Sequence, residues 1–388
     1  MPESADNLFP AARNDQGEQI HPTGILPAQT LRAFCRDRII QATEEIPEAL
    51  IQPSSIDLRL GPMAYRVRAS FLPGKDTKVI DTVADLGMHQ IDLTEGAVLE
   101  KGCVYIVPCM ESVRLGTRVS GIANPKSSSG RLDIFTRLIV DGATEFDRVR
   151  AAYKGPLYTE ICPQTFSIVV HKGTSLNQLR LRRGSPSTTD TELRRLHEAV
   201  PLVDGPAGSA NIERGIAVSV DLKGDGERAL IGYRARRHTD LIDLAKVNHY
   251  DPRDFWEPVY AEAGGRLLLN PGDFYILVSR EAVTVPPDYA AEMTPYDTLV
   301  GEFRVHYAGF FDPGFGHAGS GGGGSRAVLE VRSHEVPFML EHGQVVGRLV
   351  YERLTAVPDK IYGVGIGSNY QRQGLQLAKQ FKKPDAVR

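Results

Sequence analysis

LEKGCVYIVP at residues 99–108 and LNPGDFYILV at residues 269–278 are two readings of one pattern. Gly102, Tyr105 and Ile106 recur as Gly272, Tyr275 and Ile276, and the register then holds. Pro125 meets Pro295, Glu160 meets Glu330, Gly173 meets Gly343 and Leu179 meets Leu349. A fixed spacing through so many positions marks an internal duplication, which decides the architecture before any local feature does. Upstream the register shifts. Ser55-Ile56-Asp57-Leu58 matches Ser219-Val220-Asp221-Leu222, and Ile91-Asp92-Leu93 matches Ile242-Asp243-Leu244. The shift predicts an insertion in the second copy, with KVNHYDPRDFWEPVYAEAGG (246–265) as its candidate.

Within each copy the apolar period is that of strands. Ile56-Asp57-Leu58-Arg59-Leu60 alternates, as a half-buried strand does, and Tyr65 and Val67 continue it. VYIVP, FYILV, AVLEV and GRLVYERL are rich in β-branched and aromatic residues. Short strands each followed by Gly, Pro or Asp predict a barrel or sandwich rather than a βαβ sheet. A helix is expected in QTLRAFCRDRIIQATEEI (29–46), where Leu31, Phe34, Cys35 and Ile39 share a face. A second is expected at 191–200 and a third, short one after the glycine-rich tail. The predicted organisation is a tail at 1–24, a first repeat at 25–182, a Gly/Pro/Ser-rich linker at 183–208 and a second repeat at 209–388. Gly319–Ser325 (GSGGGGS) reads as a flexible loop inside the second repeat.

Composition narrows the function. A formal net charge of −3 gives no basic field for nucleic acid. Cys35, Cys103, Cys109 and Cys162 are scattered, with none beyond, so a reducing cytoplasm is expected. The opening MPESADNLFPAARNDQGEQ has no apolar signal core, and no stretch approaches the roughly 18 apolar residues of a membrane span. Metal ligation is not expected. There is no CxxC, no HxE before one and no HExxH. GVGIGSNY has the look of a dinucleotide fingerprint but no following βα unit.

Four features carry chemistry. Lys126-Ser127-Ser128-Ser129-Gly130-Arg131 packs two cations, three hydroxyls and a glycine into six residues. Such a set suits phosphate oxygens, although a solvated Ser-rich turn has the same composition. The second copy has Pro295-Tyr296-Asp297-Thr298-Leu299-Val300-Gly301 there, without the cations, so the two copies have diverged in role. Glu160 and Glu330 stand at equivalent places in apolar strands. Each is either a proton shuttle with a raised pKa or a carboxylate facing water or an Arg. YAGFFDPGF (307–315) is a tight aromatic turn, suited to a base-and-sugar wall or to core packing. YGVGIGSNYQRQG (362–374) suits a closing lid or a loose terminus.

As an ordered set these segments resemble the dCTP deaminases of the dUTPase superfamily. QPSSIDLRLG (52–61) looks like the family's early Ser-Val-Asp-Leu-Arg-Leu-Gly strand. KSSSGR is similar to its RSSxxR motif, with Lys126 for the first Arg. YAGFFDPGF resembles HAGWIDPGF, with Tyr307 for His, and VLEV (328–331) resembles the strand of the catalytic Glu. The resemblance implies a mainly β fold of two tandem dUTPase-like (β-clip-like) barrel or sandwich repeats with a few short helices. It implies Glu330, Ser127 and Arg131 as catalytic groups. Substrate contacts would come from Lys126, Ser128, Ser129, Gly130, Asp312, the backbone of Val328 and Leu329, and Tyr362, Asn369 and Gln373. Asn369 replaces the family's usual Lys. In the family the Glu and the Ser/Arg motif come from different copies. The expectation is therefore a composite site, with KSSSGR from the first repeat, Glu330 and the lid from the second, and Glu160 vestigial or structural.

The implied reaction is dCTP plus water giving dUTP and ammonia, with Glu330 as base and then acid. No cofactor is held by the protein, and Mg²⁺ accompanies only the triphosphate. Implied partners are dCTP, with dTTP or dUTP as further ligands, and a homo-oligomer of trimeric type. The rivals are a dUTPase or bifunctional deaminase–dUTPase, and a nucleotide sensor without turnover.

Overall fold

The computed structural model describes residues 12–13, 19–204, 210–224, 229–295, 303–306, 309–317, 323–333, 335–363 and 374–383. The fold is mainly β. The described helices are short: Ala28–Arg36, Val79–Leu86, Ser127–Gly130, Asp190–Ala199 and Pro252–Phe255, with one 3₁₀ turn at Glu48–Leu50.

The same antiparallel ladder is built twice. The strand Lys154–Pro163 lies between Ile134–Val140 and Val104–Arg114, which sets Glu160 opposite Arg137 on one side and Ile106 on the other. The strand Ser325–Ser333 lies between Phe303–His306 and Phe274–Val283, which sets Glu330 opposite His306 and Ile276. In the second sheet of each unit Ala123 pairs with Leu179 and Met293 with Leu349. Burial alternates along Val119–Ala123, the sign of one face on the core. Two apolar cores follow, one per ladder. A third forms the seam, where Leu60, Leu132 and Ile134 meet Ile276, Leu377 and Phe381, with the half-buried Val328 packed against it.

The ladders correct the upstream alignment. Ile56 pairs with Leu179 and Ile216 with Leu349, so Ile56 matches Ile216, and Arg59 rather than Ser55 matches Ser219. Contacts confirm it. The Arg59 N–H donates to Glu111 Oε2 and the Ser219 N–H to Glu281 Oε2, each at 2.7 Å. Likewise Tyr65 and Tyr233 pair with Ile106 and Ile276. Gln90 and Pro258 stand opposite those tyrosines, so Ile91 matches Val259 and not Ile242. Nor is 246–265 an insertion. Trp256–Tyr260 is a strand of the second ladder, and Ile242–Asp243 pairs in parallel with Ile168–Val170 of the first. The added length lies between Ile216–Ser219 and Leu230–Ala235, a longer connection than that between Ile56–Arg59 and Met63–Val67.

Two further expectations change. The first helix stops at Arg36, because Arg38 turns to φ 56° and Ile40–Ala42 joins the Val104–Arg114 strand. Tertiary pairing overrides the helical spacing of Ile39. The tail at 374–383 contains no helix. The linker carries the helix expected there, at Asp190–Ala199. Thr189 and Glu192 form a capping box on Asp190–Ala199, and Leu193, Leu202 and Val203 enter the second core.

Candidate active site

The KSSSGR segment leaves the strand Val119–Pro125 and becomes a single helical turn, Ser127–Gly130, rather than an irregular loop. The turn is held from below. The buried Ser129 hydroxyl donates to the Leu176 carbonyl at 2.9 Å, so that serine is a structural anchor. Lys126 is ion-paired to the buried Asp57. Ser127 is exposed and Ser128 half-buried, and neither hydroxyl has a hydrogen-bond partner among the described residues.

Gly130 and Arg131 end the turn at the seam, and there they meet the second repeat. A Cβ on Gly130 would lie 2.5 Å from Glu330 Oε1 and Cδ, with Oε2 nearer still. The glycine is thus required by close approach and not by a turn. Glu330 occupies the volume that any other side chain at 130 would fill. Its residue is only 6% exposed, and no hydrogen bond reaches its carboxylate among the described residues. Burial pushes its carboxyl well above the usual range, the Arg131 guanidinium pulls it down, and Asp133 pushes it up. Arg131 is itself buried and donates through Nη1 to the Gln376 carbonyl at 3.0 Å, which ties the returning tail to the motif.

Glu160, the first-repeat counterpart, is in a different state. Arg137 donates to its Oε1 from Nε and Nη2 at 3.0 and 2.6 Å, and the guanidinium lies 3.5 Å from the Phe146 ring centroid. In the second ladder that register position belongs to His306. One copy therefore neutralises its strand carboxylate internally, while the other turns it toward the neighbouring repeat.

The remaining predicted residues surround this pair unevenly. Leu329 is a core side chain and Val328 lines the seam. Both pair with the Phe274–Val283 strand, and among the described residues the partner strand on the other side ends at His306. Asp312 accepts from Ser54 Oγ at 2.6 Å, and burial raises its pKa against the pull of Arg180 and Ser54. The Tyr362 N–H donates to Pro313 O at 2.7 Å and its ring lies 5.4 Å from Phe315, so the root of the tail is docked on the DPG turn. Asn369, Gln373 and Tyr307 lie outside the described residues, as do 296–301.

Sequence reasoning missed three contributors. Arg180, fully buried, donates to Ser54 Oγ at 3.1 Å and to the Ala291 and Phe311 carbonyls, and lies 3.9 Å from the Phe310 ring centroid. It pins the aromatic turn to the first repeat. Asp133 and Arg332, each two positions beyond a predicted catalytic residue, form a buried ion pair across the seam. The strand period of two, which puts Glu330 and Arg332 on one face, is the signal for Arg332, whereas Asp133 sits in a turn that no sequence period marks.

A buried carboxyl, a buried guanidinium and a hydroxyl-bearing turn, the kinds of group a hydrolytic enzyme acting on nucleotides needs, thus meet where the two ladders join. Two family profiles match the chain: the 2'-deoxycytidine 5'-triphosphate deaminase N-terminal domain over residues 22–185 and the C-terminal domain of that deaminase over 189–381. A crystal structure of 2'-deoxycytidine 5'-triphosphate deaminase from Agrobacterium tumefaciens is similar, with 58% identity and a TM-score of 0.82, covering 86% of this chain and all of the other. A Halobacterium salinarum protein named dCTP deaminase, dUMP-forming, is 35% identical over 31% of this chain and 60% of its own length. A Haloarcula marismortui protein named dCTP deaminase is 29% identical over 49% of this chain and 93% of its own. The chain belongs to the dCTP deaminase family and is an enzyme of that family. Among the described residues no helix is long and apolar enough to cross a membrane.

Proposed function

We propose that this chain hydrolyses the exocyclic amine of dCTP at a site shared by two dUTPase-like repeats, giving dUTP and ammonia. The observation that carries the reading is the Glu330 carboxyl set against Gly130 and beside Arg131, almost wholly out of water. Water adds to C4 of the cytosine. Glu330 takes one water proton and delivers it to ring N3, which keeps it; it then takes the proton of the new C4 hydroxyl and delivers it to the amine, which leaves as ammonia while C4 keeps the oxygen as the uracil carbonyl. Ser127 and Arg131 orient and polarise the water. A carboxyl with raised proton affinity suits both the uptake and the return of a proton near neutral pH.

The triphosphate, with Mg²⁺ as its companion, lies toward Ser127 and Ser128, the two motif hydroxyls not engaged in the fold. Lys126 acts from its ion pair with Asp57. The Val328–Leu329 backbone reads the base, Asp312 lies on the sugar side, and Tyr362, Asn369 and Gln373 belong to the closing tail. Glu160 is structural. Two repeats per chain cannot close a threefold ring alone, so a homo-oligomer of trimeric type is the proposed assembly.

A second reading is favoured by the names of several relatives, which are dUMP-forming. In it the same site also cleaves the dUTP intermediate to dUMP and pyrophosphate. One assay separates the two. The protein is incubated with dCTP in Mg²⁺ and in EDTA, with ammonia and nucleotides followed together. Ammonia equal to dUTP supports simple deamination, and ammonia equal to dUMP and pyrophosphate supports the bifunctional reading. Binding without ammonia would overturn both and leave a sensor.

A further inference from the structure

Arg131-Leu132-Asp133 from the first repeat faces Glu330-Val331-Arg332 from the second, with the charges reversed at each end. The outer pair is elaborate. Asp133 is fully buried at φ 54°. Its Oδ2 accepts from Arg332 Nη2 and, at 2.5 Å, from Thr165 Oγ1. Arg332 also donates from Nη2 to Thr165 Oγ1 and from Nη1 to the Gly272 carbonyl, each at 2.8 Å. Yet Asp133 Oδ1 and Arg332 Nε are buried without partners.

An ion pair so buried and only partly satisfied is no better for stability than apolar residues of the same shape. A left-handed aspartate adds local strain. Local costs of this kind, gathered two residues from reacting groups, point to a task other than stability.

We infer that the Asp133–Arg332 pair is a positioning device for Glu330, locking the register in which Gly130 and Arg131 face it and setting the Asp133 charge against that of Arg131. This rests on the reading of Glu330 as the acid–base group. Among the described residues, the charged groups and register partners around Glu330 are these. The first repeat contributes Arg131 and Asp133, and the strand of Glu330 contributes Arg332. The Phe303–His306 strand places His306 at the opposing register position, the Phe274–Val283 strand places the neutral Ile276, and the tail contributes Gln376 beside Arg131. The direction agrees: Asp133 raises the proton affinity of Glu330, and Arg131 lowers it.

The test uses the full chain and pH profiles of ammonia release from dCTP. Asp133→Asn keeps the shape and removes the charge. Glu330 then ionises more readily, so the acid limb of kcat moves to lower pH while KM for dCTP stays within about twofold, since no binding contact is lost. An acid limb that stays in place in the folded variant overturns the inference, whatever the loss of rate. If Asp133→Asn does not fold, Arg332→Lys decides. It keeps the counter-charge but not the fork, so the limb holds and kcat falls about tenfold through loosened geometry. Wild-type kcat in that variant overturns the inference. Glu330→Gln separates the two readings. Retained deamination there refutes the role of Glu330 itself, whereas lost deamination with no response to Asp133→Asn refutes the brace alone.

Discussion

Replacing Gly130 by alanine separates stability from activity in one methyl group. The new Cβ would stand 2.5 Å from Glu330 Oε1 and Cδ, and carbon contacts settle at about 3.5 Å, so the carboxyl must retreat by roughly 1 Å. The obstructing atoms are the far end of a side chain rather than backbone, so the retreat costs the fold little. Alanine also ends the helical turn Ser127–Gly130 better than glycine, by about 0.5–1 kcal/mol. The two contributions roughly cancel, and the melting temperature stays within a few degrees of the parent. Catalysis has no such compensation, because a misplacement near 1 Å costs on the order of 100-fold. The expected outcome of Gly130→Ala is a folded, dCTP-binding protein whose kcat for ammonia release is down about 100-fold. Thermal denaturation, equilibrium binding of dCTP and steady-state ammonia release check the three parts. Deamination within a few-fold of the parent would refute the reasoning, since Glu330 could then work from a position the methyl group denies it.

The two strand carboxylates should respond in opposite ways. Glu330→Gln abolishes ammonia release, whereas Glu160→Gln keeps activity near the parent and lowers stability by roughly 1–3 kcal/mol, read by urea denaturation, because Arg137 loses its counter-charge. Arg131→Gln removes the cation that favours the Glu330 carboxylate, so the acid limb of its residual kcat/KM profile moves to higher pH, and a downward move would contradict the charge assignment. Glu111→Gln leaves Arg59 buried and unpaired on the first-repeat strand Ile56–Arg59. It should cost about 3–5 kcal/mol by denaturant titration without altering KM. Burial lifts the folded-state pKa of Asp133 from 3.8 to about 6, so between those values the folded state binds the extra proton. That contribution to stability is complete below about pH 4 and lost as pH rises through 6, and the slope should be missing from denaturation curves of Asp133→Asn.

How far the sequence reached depended on the range of the forces involved. Tyr105 and Tyr275, Glu160 and Glu330, and Leu179 and Leu349 align on sequence alone, because long buried strands leave a dense apolar pattern. Ser55-Ile56-Asp57-Leu58 finds a false partner in the sequence, because a four-residue alternation fits any half-buried strand. The true partner of Arg59 is fixed by Glu111 and Glu281, acidic residues of equivalent strands that grip the backbone of residue 59 or 219 from far along the chain. Ile39 was drawn into a helix for the same reason: its spacing is local, but the strand Ile40–Ala42 that displaced it is paired to Val113, Ser112 and Glu111. In the site, Gly130 was legible as a glycine and not as a close approach, since only the folded chain brings Glu330 against it.

Duplication gives each ladder the same opportunity, a carboxylate on its central strand. Arg137 closes the opportunity in the first ladder by sitting opposite Glu160. In the second ladder His306 holds that register place, and Glu330 is left to find its cation across the seam in Arg131. The sensitivity of the two carboxylates to their neighbours follows. Glu160 is paired with a guanidinium of its own repeat, so events at the seam leave that contact intact. Glu330 is governed by residues of the other repeat, so any motion that opens the seam changes both its position and its proton affinity. A chain cut between residues 183 and 189, with both halves folded, would therefore lose deamination on separation and regain it on mixing, while the Glu160–Arg137 pair persisted in the isolated first half.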